Sequence, residues 1–396
     1  MPLIVGRKQI FAGLALLPIC ALSHAQSSVT LYGIVDAGLT YASNISGSAR
    51  YTLSSGNGAG NRWGLRGNED LGGGMSAVFD VENGFSMATG AIGQGGTFFG
   101  RQAYVGLSSP HGTLTMGRHT VPSTDYVMPF SSGSSWAGSG VGYGVHMGDV
   151  DNLDGTSRAN NSIKYISRNY SGFSFSGLYS FGGVAGDFSR NQIYSVGAAY
   201  SAGPVKVAAG YLLARNPNFS FFGNNVASST TGNNMTGSPT FAGYATARSQ
   251  QIIVAGASYQ LGSFTVATVY SNVQFKGLGE TAIAGLTPAE AALRGTATFN
   301  TGELNLKYFV TPTLMVGTAY NYTKVTGGGP SSNYQQVNLG ALYFLSKTTD
   351  LYALGFYQWA GGVNSTGAPA VASIGGAASS SKNTQGVIVL GIEKKF

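Results

Sequence analysis

Apolar and polar residues take turns along most of this chain. In FSFSGLYSF, residues 173–181, Phe173, Phe175, Gly177, Tyr179 and Phe181 fall on one face, with Ser174, Ser176, Leu178 and Ser180 on the other. A period of two belongs to a β-strand, whose successive side chains point to opposite sides. LMVGTAYNYT repeats it, with Leu314, Val316, Thr318, Tyr320 and Tyr322 opposite Met315, Gly317, Ala319, Asn321 and Thr323. In QQVNLGALYFL, Val337, Leu339, Ala341, Tyr343 and Leu345 form the apolar side. Such runs predict sixteen strands, near 29–41, 60–68, 74–84, 98–108, 113–119, 159–168, 172–181, 191–201, 204–214, 249–260, 264–275, 296–309, 313–324, 333–345, 350–360 and 383–396. Short turns (69–74, 109–112, 171–172, 202–203, 311–313) lie between them on one side. Long Gly/Ser/Asn-rich loops (120–157, 215–248, 276–295, 361–382) lie on the other.

Composition says what those strands stand in. Charged residues make up 9% of the chain, with 61 Gly, 22 Tyr and 21 Phe, whereas a soluble domain carries about 25% charged residues. No stretch after residue 25 approaches the ~20 apolar residues of a spanning helix. Strands can cross lipid only when every backbone group is paired within a closed sheet, so the expected fold is an all-β, 16-stranded antiparallel transmembrane barrel in an outer membrane. Residues 1–25 read as a secretory signal peptide: Arg7 and Lys8, an apolar run from Ile10 to Leu22, then Ser23-His24-Ala25, with cleavage before Gln26. That leaves 26–396 as the barrel domain. The single cysteine, Cys20, lies in the leader, so the remainder has no thiol for a disulfide, a nucleophile or a metal. The leader also takes two of the 22 basic residues, leaving 20 against 15 acidic and a net charge of +5.

The placement of those few charges is informative. In NRWGLRGNEDLGGGMSAVFDVENGF, residues 61–85, a hairpin puts Asn61, Trp63 and Leu65 on one face and Arg62, Gly64 and Arg66 on the other. Its second strand turns Ala77, Phe79 and Val81 outward and Ser76, Val78, Asp80 and Glu82 inward. A charge facing lipid at mid-membrane costs roughly 2–4 kcal/mol, so the arginines face the lumen.

SVTLYGIVDAGLTY, RWGLRGNEDLGGG, RQAYVGLSSPHGTLTMGR (101–118), NSIKY (161–165) and the final phenylalanine of LGIEKKF together resemble the general diffusion porins of Gram-negative outer membranes, of the β-proteobacterial type. The resemblance implies a homotrimer in contact with outer-membrane lipid and lipopolysaccharide. It also implies passive diffusion of small hydrophilic solutes and ions, and a third extracellular loop, here 120–157, folded inward as a constriction. By motif, Arg62, Arg101 and Arg158 match the basic side of that constriction, with Arg66 and Arg118 behind them. Parity supports Arg62 and turns Arg158 and Lys164 inward, but does not settle Arg101. Asp125, Asp149, Asp151 and Asp154 are the acids available on the loop. Phe396 resembles the signal read by the outer-membrane assembly machinery. Inward arginines in a low-dielectric wall concentrate anions, so a modest anion preference is expected.

Other chemistry finds little support. His111, His119 and His146 lack metal-ligand spacing, and neither a cofactor nor a metal is expected. GSSWA (133–137) lacks the last glycine of a nucleophile elbow, and no phosphate-binding loop occurs. A barrel hydrolase would have to use His146 with Asp149 or Asp151, and no enzyme is expected. An adhesive or structural barrel is the alternative. The basic residues are dispersed, which argues against nucleic acid.

Overall fold

The computed structural model describes residues 27–396, so the expected signal peptide lies outside the described residues. Seventeen strand segments follow one another: β1 Ser28–Ile45, β2 Ser48–Ser55, β3 Arg62–Gly72, β4 Met75–Gly84, β5 Gln102–Ser109, β6 Gly112–His119, β7 Ala159–Ser167, β8 Phe173–Ser180, β9 Ile193–Ala202, β10 Val205–Arg215, β11 Ser249–Leu261, β12 Phe264–Leu278, β13 Gly295–Thr311, β14 Leu314–Gly327, β15 Ser332–Ser346, β16 Thr349–Gly362 and β17 Thr384–Lys395. They occupy sixteen positions, because β2 and β3 are two halves of one barrel strand. β3 pairs with β1 from Ser28 to Ile34, and β2 pairs with it from Ala37 onward. All neighbours are antiparallel, and β17 closes on β1 with Ile34 opposite Lys395 and Ala42 opposite Val387. Closure leaves no free edge, which is what allows a sheet to sit in hydrocarbon.

The alternation becomes two surfaces. Leu39, Val105, Leu339 and Leu390 are all more than half exposed on the outer face, and an apolar exterior of that extent is stable only against lipid. Inward neighbours such as Asn321, Thr323, Gln336 and Asn338 are buried. The 120–157 segment lies against this face, where Gln336 and Asn338 donate to the Tyr143 and Gly144 carbonyls. Its Val121, Val127, Phe130, Met147, Val150 and Leu153 share an apolar cluster with Leu212, Ile252, Val254 and Val273 of the wall. Its Trp136, Ala137 and Tyr143 join Met315, Ala319, Leu354 and Val389. The hydrophobic core thus lies between this segment, residues of the 215–248 loop such as Phe221, Met235, Phe241 and Tyr244, and the inward faces of β9–β17.

One stretch differs from the pattern-based expectation. The first strand, expected at 29–41, runs on to Ile45, and the chain turns back at once through Ser46 and Gly47, both at positive φ, into β2. The β2 sequence SARYTLSS is largely exposed on both faces. Its alternation is limited to Tyr51 and Leu53 between Arg50, Thr52 and Ser54, too short a run to predict a separate strand.

Candidate functional site

Three arginines converge on one cavity of about 310 Å³, and each is placed by a strand end. Arg62 opens β3 just after the 56–61 break, and its Nε donates to the Gly60 carbonyl at 2.9 Å. Arg101 directly precedes β5 and donates from Nε to Glu82 Oε1 on β4 at 2.6 Å. Arg158 directly precedes β7, is 5% exposed, and donates from Nε to the Arg101 carbonyl at 3.0 Å. Two of the three are oriented by backbone carbonyls, which fix a guanidinium without cancelling its charge. Asp154 of the 120–157 segment lines the same cavity, and its Oδ1 has no hydrogen-bond partner among the described residues. Arg118 borders an adjoining cavity of about 200 Å³ together with Arg158, held by the carbonyls of Gly100 (2.8 Å) and Asn224 (2.7 Å).

The remaining basic candidates sit elsewhere, with their charge already met. Arg66 pairs with Asp80 at 3.1 Å and lies over the Tyr32 ring, 4.8 Å from its centroid. Lys164 is buried and pairs with Asp125 at 2.5 Å, joining β7 to the short helix α1, Pro122–Val127.

The other loop acids serve the loop itself. Asp149 accepts from the Asp154 backbone N–H at 2.9 Å and from Thr156 Oγ1 at 2.7 Å. Asp151 bonds His146 Nδ1 at 2.6 Å, while His146 Nε2 meets Glu303 of β13 at 3.1 Å. Burial alone would lower the His146 pKa, but the two carboxylates hold it well above the usual imidazole range. A charged imidazolium thereby bridges loop and wall. Ser132 N–H also donates to Glu303 at 2.6 Å, and Gln336 and Gln250 donate to the carbonyls of Tyr143 and Val150, each at 2.8 Å. Burial and the neighbouring Asp151 push Asp149 up to about 7. Burial and Asp149 likewise raise Asp154 well above the carboxylate range, against the pull of the three arginines.

Sequence reasoning gave His146 no role and passed over Glu303. The available signal was a lone carboxylate on the inward parity of a strand that otherwise turns Thr301 and Asn305 inward. His119, also left without a role, is buried between Thr115 Oγ1 at 2.9 Å and Ser162 Oγ at 2.7 Å and stacks on Tyr104.

The closed barrel and the charged cavity inside it define a membrane-spanning channel architecture. Residues 12–358 match the profile of the Gram-negative porins. The chain is 32% identical over 382 residues to an outer membrane porin protein of Bordetella pertussis, covering 89% of this chain and 94% of that protein. It is 30% identical over 361 residues to outer membrane porin protein 32 of Delftia acidovorans, covering 87% and 88%. The fold is similar to that of an anion-selective porin from Comamonas acidovorans, with a TM-score of 0.71 at 24% identity over 94% of this chain and all of that one. The chain belongs to the Gram-negative porin family, and it is an outer-membrane β-barrel channel for passive diffusion of small hydrophilic solutes.

Proposed function

We propose that the channel prefers anions, that the 120–157 segment narrows it, and that Arg62, Arg101 and Arg158 set the preference opposite Asp154. The observation that carries this reading is the shared cavity, in which three guanidiniums, one of them paired to Glu82, meet one loop carboxylate. A unit charge ~8 Å away contributes roughly 2 kcal/mol at an effective dielectric near 20, and less as salt screens it. The surplus of positive charge therefore raises the local anion concentration and depresses that of cations.

The same reading makes the protein a channel rather than an enzyme. Both ring nitrogens of His146 are engaged by carboxylates, which leaves no free nitrogen to activate a nucleophile. It also takes 26–396 as the functional domain, assembled as a homotrimer among outer-membrane lipid and lipopolysaccharide. Phe396, whose backbone exchanges hydrogen bonds with Gly33 at 3.0 and 3.1 Å, serves assembly in this reading. Deleting Phe396 should reduce the yield of heat-modifiable trimers in the outer membrane, and normal yield would remove that part. Reversal potentials of the wild-type channel across a KCl gradient should have the sign of an anion preference that shrinks as total salt rises. A cation-selective wild type would contradict the reading.

A further inference from the structure

The 120–157 segment lies flush against the wall at points where the wall has no side chain. The indole of Trp136, 5% exposed, sits over Gly317 of β14 and Gly340 of β15, which oppose each other across the strand pair. A Cβ at either glycine would come within 2.8 Å of the ring. The Phe130 ring covers Gly256 of β11 in the same way, at 2.7 Å. At the other flank, Gly140 of the segment meets the break between β2 and β3. A Cβ there would fall 1.8 Å from the Gly56 carbonyl oxygen and 2.4 Å from the Gly60 nitrogen, and the Ser139 N–H beside it donates to the Gly58 carbonyl at 3.2 Å. None of Gly140, Gly256, Gly317 and Gly340 has a positive φ. The backbone would accept any residue at these positions, and only the space excludes a side chain.

We propose that these four glycines are positioning residues that set the aperture of the channel by fixing how deeply the segment seats in the wall. An added methyl must be accommodated by movement, because such contacts are close-packed. At Gly256, Gly317 and Gly340 the wall strands are held by ladders on both sides, whereas the segment borders an open cavity through Met128, Ser134 and Asp154. The segment is the part that moves, and it moves into the lumen.

This inference rests on the reading that 120–157 narrows the channel, and the test separates the two. Single-channel conductance in planar bilayers is compared for wild type, Gly317→Ala, Trp136→Ala, the double variant and a deletion of 130–145; Gly317 is chosen because its nearest contacts are all with the indole, whereas a Cβ at Gly340 would also meet Leu354. Gly317→Ala should lower conductance by about 1.5-fold, the scale of an overpacking shift of roughly an ångström at a narrow aperture. The methyl should have no effect once the indole is gone, so the double variant should match Trp136→Ala; a merely structural role would give additive losses instead. If Gly317→Ala fails to assemble, Trp136→Ala must rescue its assembly, and failure to rescue overturns the inference. A Gly317→Ala channel of wild-type conductance beside an enlarged deletion channel overturns the inference alone. An unchanged deletion channel overturns the underlying reading, and the inference with it.

Discussion

The two halves of the inner wall are built for opposite purposes. From β9 to β16 most inward side chains under the 120–157 segment are uncharged, among them Ile252, Val254, Gln336 and Asn338; the buried carboxylates on these strands are Glu303 and Asp350, and Lys307 lines the lumen as well. From β3 to β7 the inward positions and strand ends carry Arg62, Arg66, Asp80, Glu82, Arg101, Arg118, Arg158 and Lys164. An unpaired buried charge costs several kcal/mol, so the face under the segment is mostly neutral, whereas the cavity on the basic side keeps Arg62 and Arg158, oriented by backbone carbonyls and not by carboxylates. Under the segment, Glu303 is matched by His146, which also holds Asp151. In the proposed reading, the segment thereby shifts the passage toward the basic side, so that solutes cross beside the arginines.

That contrast is most severely tested by removing the cover. Deleting 130–145 takes away Trp136, Gly140 and most of the contacts to β14 and β15, and conductance should rise several-fold while anion preference falls, since the arginines then face a wider, better-screened passage. Retained selectivity in a widened channel would mean that the basic wall acts without the cover.

A smaller effect is expected from the bridge between the halves. His146→Ala leaves Asp151 and Glu303 buried with no cation between them. Breaking a buried pair in this way costs about 3–5 kcal/mol, which should appear as a lower trimer melting temperature and noisier open-channel current. Glu303→Gln should do less, because one carboxylate still meets the imidazolium. Equal effects of the two variants would show that the charge of the bridge is unimportant.

The finest adjustment comes from Asp154. Its pKa is raised, so it is neutral at low pH and gains its charge as pH rises through that shifted value. Anion preference should therefore weaken as pH increases across the titration. Asp154→Asn should hold the low-pH preference throughout, and a slope unchanged by this variant would assign the titration to another group.

Much of this was legible in the sequence because a barrel wall imposes its two environments on every second residue. Strand positions followed from that period, except at β2, where only Tyr51 and Leu53 mark the apolar face. Arg62 could be turned inward because β3 alternates through Trp63 and Leu65. Arg101 could not, since the 98–108 stretch carries apolar residues on both faces. The loop acids were indistinguishable for a related reason: a segment with no period gives no face to read. Asp154 is set apart only by a turn that Asp149 organises. His146 looked idle because its wall partner is 157 residues away in sequence. Gly317 and Gly340 read as ordinary inward strand positions, and what fills the space above them is set by a loop whose path the pattern does not encode.

The central claim is that charge at one cavity decides which ions pass. The most direct measurement is the reversal potential across a KCl gradient for the triple variant Arg62→Ser, Arg101→Ser, Arg158→Ser beside wild type, in trimers of equal stability. The account predicts anion preference in wild type and a permeability ratio near unity or on the cation side in the triple variant. An unchanged ratio would contradict it.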